Sequence, residues 1–144
     1  MRYDRGVQTL VVIDAANVVG SVPDGWWRDR AGATVRLRDR LAAAGSGVLA
    51  EASGTAEVVL VVEGAARGVA SVAGVRVVPA PGSGDDAIVA LLAEQPAERE
   101  RWLVTADRGL RDRAGALGAR VVGPRALRLP PPERSAPDRS TSGR

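Results

Sequence analysis

Six side chains have the types and spacing for metal-assisted chemistry on a phosphate. Asp14 closes the apolar run Thr9–Ile13, and Asn17 follows three residues later. Asp85 and Asp86 come directly after Pro-Gly-Ser-Gly. Thr105 and Asp107 stand in Val-Thr-Ala-Asp, behind a further apolar run. All six offer oxygen donors. Several carboxylates brought to one place repel one another unless a cation neutralises them or they take up protons. Oxygen-only donor sets favour Mg²⁺ or Mn²⁺ over zinc. Each acid also has a local reading. Asp14 serves as a turn residue, Asp85 or Asp86 as a helix cap or first-turn acid, and Asp107 as the cap of a helix starting at Arg108.

Composition narrows the chemistry. The chain has neither Cys nor His, and all 20 of its basic residues are Arg. That excludes disulfides, zinc fingers, thiol nucleophiles, a histidine general base, a P-loop lysine and Schiff-base chemistry. A cluster of carboxylates without these groups points to phosphoryl chemistry, in which the metal activates water and no side chain need act as nucleophile. The net charge of +3 is a property of the C-terminal end. Residues 1–123 hold 15 Arg and 15 acids, whereas residues 124–144 hold 5 Arg and 2 acids. The excess is therefore weak evidence for nucleic-acid binding.

The elements that must position these residues are legible as five short Val-rich runs: Thr9–Ile13, Val58–Val62, Val75–Val78, Trp102–Thr105 and Arg120–Val122. They are near-continuous rather than alternating, the pattern of parallel strands buried on both faces. Helical spacing predicts one helix over Gly25–Ala44, with Trp26, Ala33, Leu37, Leu41 and Ala44 on its apolar face. Further helices are predicted over Asp85–Glu94 and Arg108–Leu117, with a short one after Glu63. Alternating strands and helices predict an α/β three-layer sandwich, with a mostly parallel five-stranded sheet flanked by helices in the Rossmann-like manner. A strand order of 3-2-1-4-5 or 2-1-3-4-5 follows. In either, ligands bind beyond the carboxyl ends of the strands. Asp14, Glu63, Asp85, Asp86 and Asp107 all follow strands and should share that edge, with Asp14 and Asp107 adjacent in the first order.

One domain is expected over residues 1–123. A Pro-, Arg- and Ser-rich tail over 124–144 reads as disordered. No apolar run approaches the roughly 18–20 residues that span a bilayer, and the first residues are polar. A cytoplasmic protein with no membrane partner is the expectation.

Ile13–Asn17 (IDAAN), Gly82–Val89 (GSGDDAIV) and Val104–Leu110 (VTADRGL), in that order and spacing, resemble the PIN-like nucleases, nearest the NYN and YacP-like branch. The resemblance covers residues 9–123. It implies a compact α/β fold with an acidic site at one sheet edge and Mg²⁺- or Mn²⁺-dependent cleavage of RNA, that is, an endoribonuclease. Asp14, Asp85 or Asp86, and Asp107 would bind metal, and Asn17 and Thr105 would orient the site. Asp85 is favoured over Asp86 by its spacing to Ile88. Many NYN members carry a second aspartate two residues after the last motif. Here that place is Gly109, leaving Glu63 or Asp112 as additional acids. Asp112 lies about 140° further round an ideal helix than Asp107.

Arg108, Arg111 and Arg113 are candidate phosphate contacts, with a solvated helix face as the alternative. Trp27 either stacks on an unpaired base or packs beneath the loop after Asn17. The implied partner is RNA, single-stranded or structured. A homodimer is compatible, and so is an antitoxin, since toxins of toxin–antitoxin pairs use a similar fold. Two other functions compete: a non-catalytic RNA-binding or regulatory module on the same fold, and another Mg²⁺-dependent phosphohydrolase acting on nucleotides. A haloacid-dehalogenase-type site is disfavoured because position 16 is Ala where a second Asp would stand, and a Nudix site because no Glu-rich helix exists.

Overall fold

The computed structural model describes residues 8–52 and 54–131. Five strands form one fully parallel sheet: β1 (Thr9–Asp14), β2 (Ala56–Val62), β3 (Val75–Pro79), β4 (Arg101–Val104) and β5 (Arg120–Val122). Their order is β3-β2-β1-β4-β5, the first of the two expected orders. Four α-helices join them: α1 (Ala15–Gly20), α2 (Arg30–Ala44), α3 (Gly84–Ala93) and α4 (Arg108–Ala116). Among the described residues, no helix is long and apolar enough to cross a membrane.

The continuous apolar runs exist because each central strand feeds two cores. Successive side chains of a strand point to opposite faces. In β1, Val11 and Ile13 join the core under α1 and α2, with Val18, Ala33, Leu37 and Leu41. Leu10 and Val12 join the core under α3 and α4, with Ile88, Leu92, Leu110 and Ala114. β2 and β4 divide in the same way, with Leu60 and Val104 on the first face and Val59 and Leu103 on the second. The parallel register sets Ile13 between Leu60 and Val104. This aligns the carboxyl ends of the three central strands.

The structure departs from the sequence reading in three places. The single helix over Gly25–Ala44 is broken. Trp26–Arg28 form a separate 3-10 turn, and Asp29, with extended φ of −154°, caps α2 by accepting from Gly32 N at 2.9 Å. A good capping side chain outcompetes continuation of the helix. Helix α1 directly after Asp14 had no counterpart in the sequence reading. Finally, packing does not stop at Gly123. Leu127 and Leu129 lie against the first core, and Arg128 N donates to Val48 O at 2.8 Å. Arg40 Nε also donates to Pro130 O, at 2.8 Å. Residues 132–144 of the expected tail lie outside the described residues.

At the edge of the sheet opposite the acids, β4 begins with a buried arginine. The Arg101 guanidinium donates to Leu92 O at 3.1 Å, Leu117 O at 2.8 Å and Arg99 O at 3.2 Å. It thereby supplies donors to carbonyls at the C-terminal ends of α3 and α4, where cations are favoured. Gly118 makes room for it. A Cβ there would sit 3.0 Å from Arg101 Nη2, on a backbone with φ of +89°. Arg101→Met is expected to lower unfolding stability by about 3 kcal/mol in urea melts, because it strands the buried bond to Leu92 O and two part-buried ones; a loss under about 0.5 kcal/mol, the range of ordinary surface substitutions, would contradict this role.

Candidate active site

Asp14 is the last residue of β1 and is buried, with 7% of its surface exposed. Its two oxygens have different partners. Oδ1 accepts from the backbone N of Asn17 at 3.3 Å, which caps α1. Oδ2 accepts from the Thr105 hydroxyl at 2.8 Å. Thr105 is fully buried, and its Oγ1 accepts in turn from Asp107 N at 3.1 Å. The Asn17 side chain returns across the same gap, its Oδ1 accepting from Ala106 N at 2.8 Å. The first and last sequence motifs are thus laced together by two hydrogen bonds between the ends of β1 and β4, Thr105 to Asp14 and Ala106 N to Asn17.

Asp107 caps α4, accepting from Leu110 N at 2.8 Å. Ser83 caps α3 by accepting from Asp86 N at 3.1 Å, which places Asp85 and Asp86 in the first turn. Glu63, just after β2, accepts from Gly84 N. A Cβ on residue 84 would lie 2.7 Å from Glu63 Oε1, so glycine permits that approach. The local readings therefore hold for Asp107 as a cap and for Asp85 and Asp86 as first-turn acids, while Asp14, read as a turn residue, is itself the cap of α1. They coexist with the clustering of acids, because three helices begin at this one edge of the sheet. Helix N-termini carry partial positive charge that offsets part of the repulsion among the carboxylates.

The two middle aspartates diverge. Asp86 is exposed and paired with Arg113 at 3.1 Å. Asp85 turns to the acids, and its carboxyl is pushed above the ordinary range by partial burial and then by the charges of Asp107 and Glu63, with Arg113 opposing. The Asp14 carboxyl is also raised. Desolvation is the largest cause and Asp85 and Glu63 add to it, against the lowering hydrogen bonds from Thr105 and Asn17. Asp14, Glu63, Asp85 and Asp107 form no ion pair among the described residues. Nor, among those residues, are any three acids grouped closely enough to grip one ion by themselves.

Other expected positions lie further out. Asp112 is exposed on α4, and its side chain makes no hydrogen bond or ion pair among the described residues. Gly109, at the place where many NYN members carry a second aspartate, is exposed beside Asp107. Arg108 is exposed and Arg111 half-buried, while Arg113 is engaged by Asp86. Trp27 is 57% exposed, in edge-to-face contact with Trp26. It does not pack beneath the loop after Asn17. The sequence reading held no sign that Ala106 N and Gly84 N would tie the site together, since backbone donors leave no side-chain signature.

The raised Asp14 carboxyl gives a pH dependence of definite sign. Between its unfolded and folded pKa values, the folded chain holds more proton than the unfolded chain, so stability falls as pH rises through that window and the cost persists at neutral pH. In metal-free buffer Asp14→Asn should melt above wild type at pH 7, and the gap should close as the pH is lowered through the folded pKa. An Asn variant that melts below wild type at pH 7 would show that the carboxylate is a net stabiliser.

No protein-family model and no curated protein sequence matches the chain. Among solved structures, the crystal structure of Rae1 (YacP) from Bacillus subtilis (W164L mutant) is similar, with a TM-score of 0.65 and 17% identity. The match covers 83% of this chain and 72% of that one. At this identity the likeness establishes the architecture: the chain has the α/β fold of Rae1 (YacP), a five-stranded parallel sheet between helices.

Proposed function

We propose that the chain is a metal-dependent ribonuclease that hydrolyses RNA phosphodiester bonds at the carboxyl edge of its sheet. The observation that carries this is Asp14. A carboxylate is held in a buried position, oriented by Thr105 and Asn17, and faces Asp85 and Glu63 with no cationic partner among the described residues. A protein has little reason to hold such a group unless a cation or a proton joins it. The fold shared with a YacP protein and the resemblance of the three motifs to the YacP-like branch support RNA as the substrate.

The donor set suits Mg²⁺ or Mn²⁺. Mg²⁺ is characteristically held by one or two carboxylates, with waters and substrate phosphate completing the shell, so a closed group of three acids is not required. Asp14 and Asp85 would hold the ion, with Glu63 and Asp107 acting on it directly or through water. When bound, the ion polarises the phosphate and lowers the pKa of a water. Thr105 keeps Asp14 in one rotamer and damps its protonation. Asn17 locks the β1–α1 corner to Ala106. Both are positioning residues. Asp86 is bound to Arg113 and is left out of the metal set.

A second reading, a non-catalytic RNA-binding module, is favoured by Gly109 standing where many NYN members have an aspartate. Mn²⁺-dependent cleavage of single-stranded RNA separates the two. Asp85→Asn is expected to lose cleavage by about a hundredfold or more and Asp86→Asn less than about threefold, with Mn²⁺ raising the melting temperature of Asp86→Asn but not of Asp85→Asn. Equal loss in the two variants would refute the assignment of Asp85. Folded wild type with no Mn²⁺ response and no cleavage would leave the binding module as the function.

A further inference from the structure

Beside the acid cluster lies a cleft of about 520 Å³ that shares Glu63 alone with the acids proposed to hold the metal. It runs between the start of α1, the 3-10 turn at Trp26, the first turns of α2 and the loops that follow β2 and β3. Its size falls within the roughly 300–1,000 Å³ usual for small-molecule sites. Ala15, Val19, Ala66 and Pro81 give it apolar walls.

Its polar groups have a distinct character. Arg30 and Arg67 both line it, and neither has a carboxylate partner among the described residues. The Arg30 guanidinium sits 5.4 Å from the centre of the Trp26 ring. Arg67 reaches across the mouth and donates to Pro81 O at 3.3 Å. Two uncompensated guanidiniums with an aromatic plane suit an anion attached to a flat ring. Glu63 belongs to both places. It lines the cleft and acts electrostatically on Asp14 and Asp85. One of its oxygens accepts from Gly84 N, leaving the other to accept an N–H or hydroxyl from an occupant.

We propose that this cleft seats one unpaired nucleotide of the RNA strand, with its base at the Trp26–Arg30 wall and its phosphate on Arg67, next to the acids. Stacking on aromatic and guanidinium planes is how proteins take up single-stranded bases. The adjoining phosphodiester is then delivered to the edge where Asp14 and Asp85 lie. The identity of the polymer rests on the ribonuclease reading, whereas capture of a nucleotide does not.

The test uses calorimetry on the full chain in EDTA, with 5′-AMP and ribose 5-phosphate as probes. 5′-AMP should bind at least about tenfold more tightly than ribose 5-phosphate, because the base contributes. Arg67→Gln and Arg30→Gln should each weaken 5′-AMP by about tenfold, the value of one charge-assisted contact. Both side chains are exposed at the surface, so folding is not at stake; Arg67→Glu should weaken binding further. Equal affinity for the two probes, or wild-type affinity in both Gln variants, would overturn the proposal. Melting with Mn²⁺ on the same proteins, dialysed free of EDTA, separates the two readings. Nucleotide capture without a Mn²⁺ response supports the cleft and removes the nuclease, whereas a Mn²⁺ response without capture removes the cleft alone.

Discussion

The hydrogen bond from Thr105 to Asp14 is the constraint on which the rest of the site depends. It joins the ends of β1 and β4, neighbours only because the strand order reverses between them. It has to form beneath a protein surface, on a carboxylate that burial and neighbouring acids both push toward protonation. A buried polar group is tolerable when its partners are fixed. Here the fixing is redundant: Asn17 crosses the same gap in the other direction, and Asp107 N closes onto the Thr105 hydroxyl. The two cores hold the strands in the parallel register that lets these short bonds form.

From that corner the geometry of the edge follows. α1, α3 and α4 all start there, because each follows the carboxyl end of a strand or the loop leaving one. Their caps are Asp14, Ser83 and Asp107. Capping and chemistry thus draw on the same residues. A helix needs an acceptor at its first turn, an acid there gains from the dipole, and several such acids together make a site for a cation. Arg101, at the far edge, is the counterpart, feeding donors to helix C-termini. The molecule is therefore polarised, with acids at one end of the strands and a buried guanidinium at the other.

Much of this was legible in the residues. Val-rich runs identify all five strands, since a strand buried on both faces has no polar side to alternate with. The acids after them mark the functional edge without knowledge of side-chain packing. What was not legible is equally physical. The six residues of α1 are too few for a helical period, and Val18-Val19 read as readily as strand. The break at Asp29 turns on one capping bond. Leu127 and Leu129, set among prolines, lack the density of apolar residues that signals packing, yet each finds core to cover. Whether Asp85 or Asp86 faces the site turns on Arg113, 27 residues further along the chain on α4, which pairs with Asp86. The cleft, assembled from five separate segments, has no linear signature.

The most direct test of the central claim is paramagnetic broadening of backbone amide resonances by substoichiometric Mn²⁺. The account predicts that broadening centres on residues 14–17, 63–64, 84–86 and 105–107, the ends of four strands or the loops after them, and spares Asp112 and the rest of α4. Broadening spread over the surface acids, or centred away from Asp14, would contradict a metal site at the β1–β4 corner.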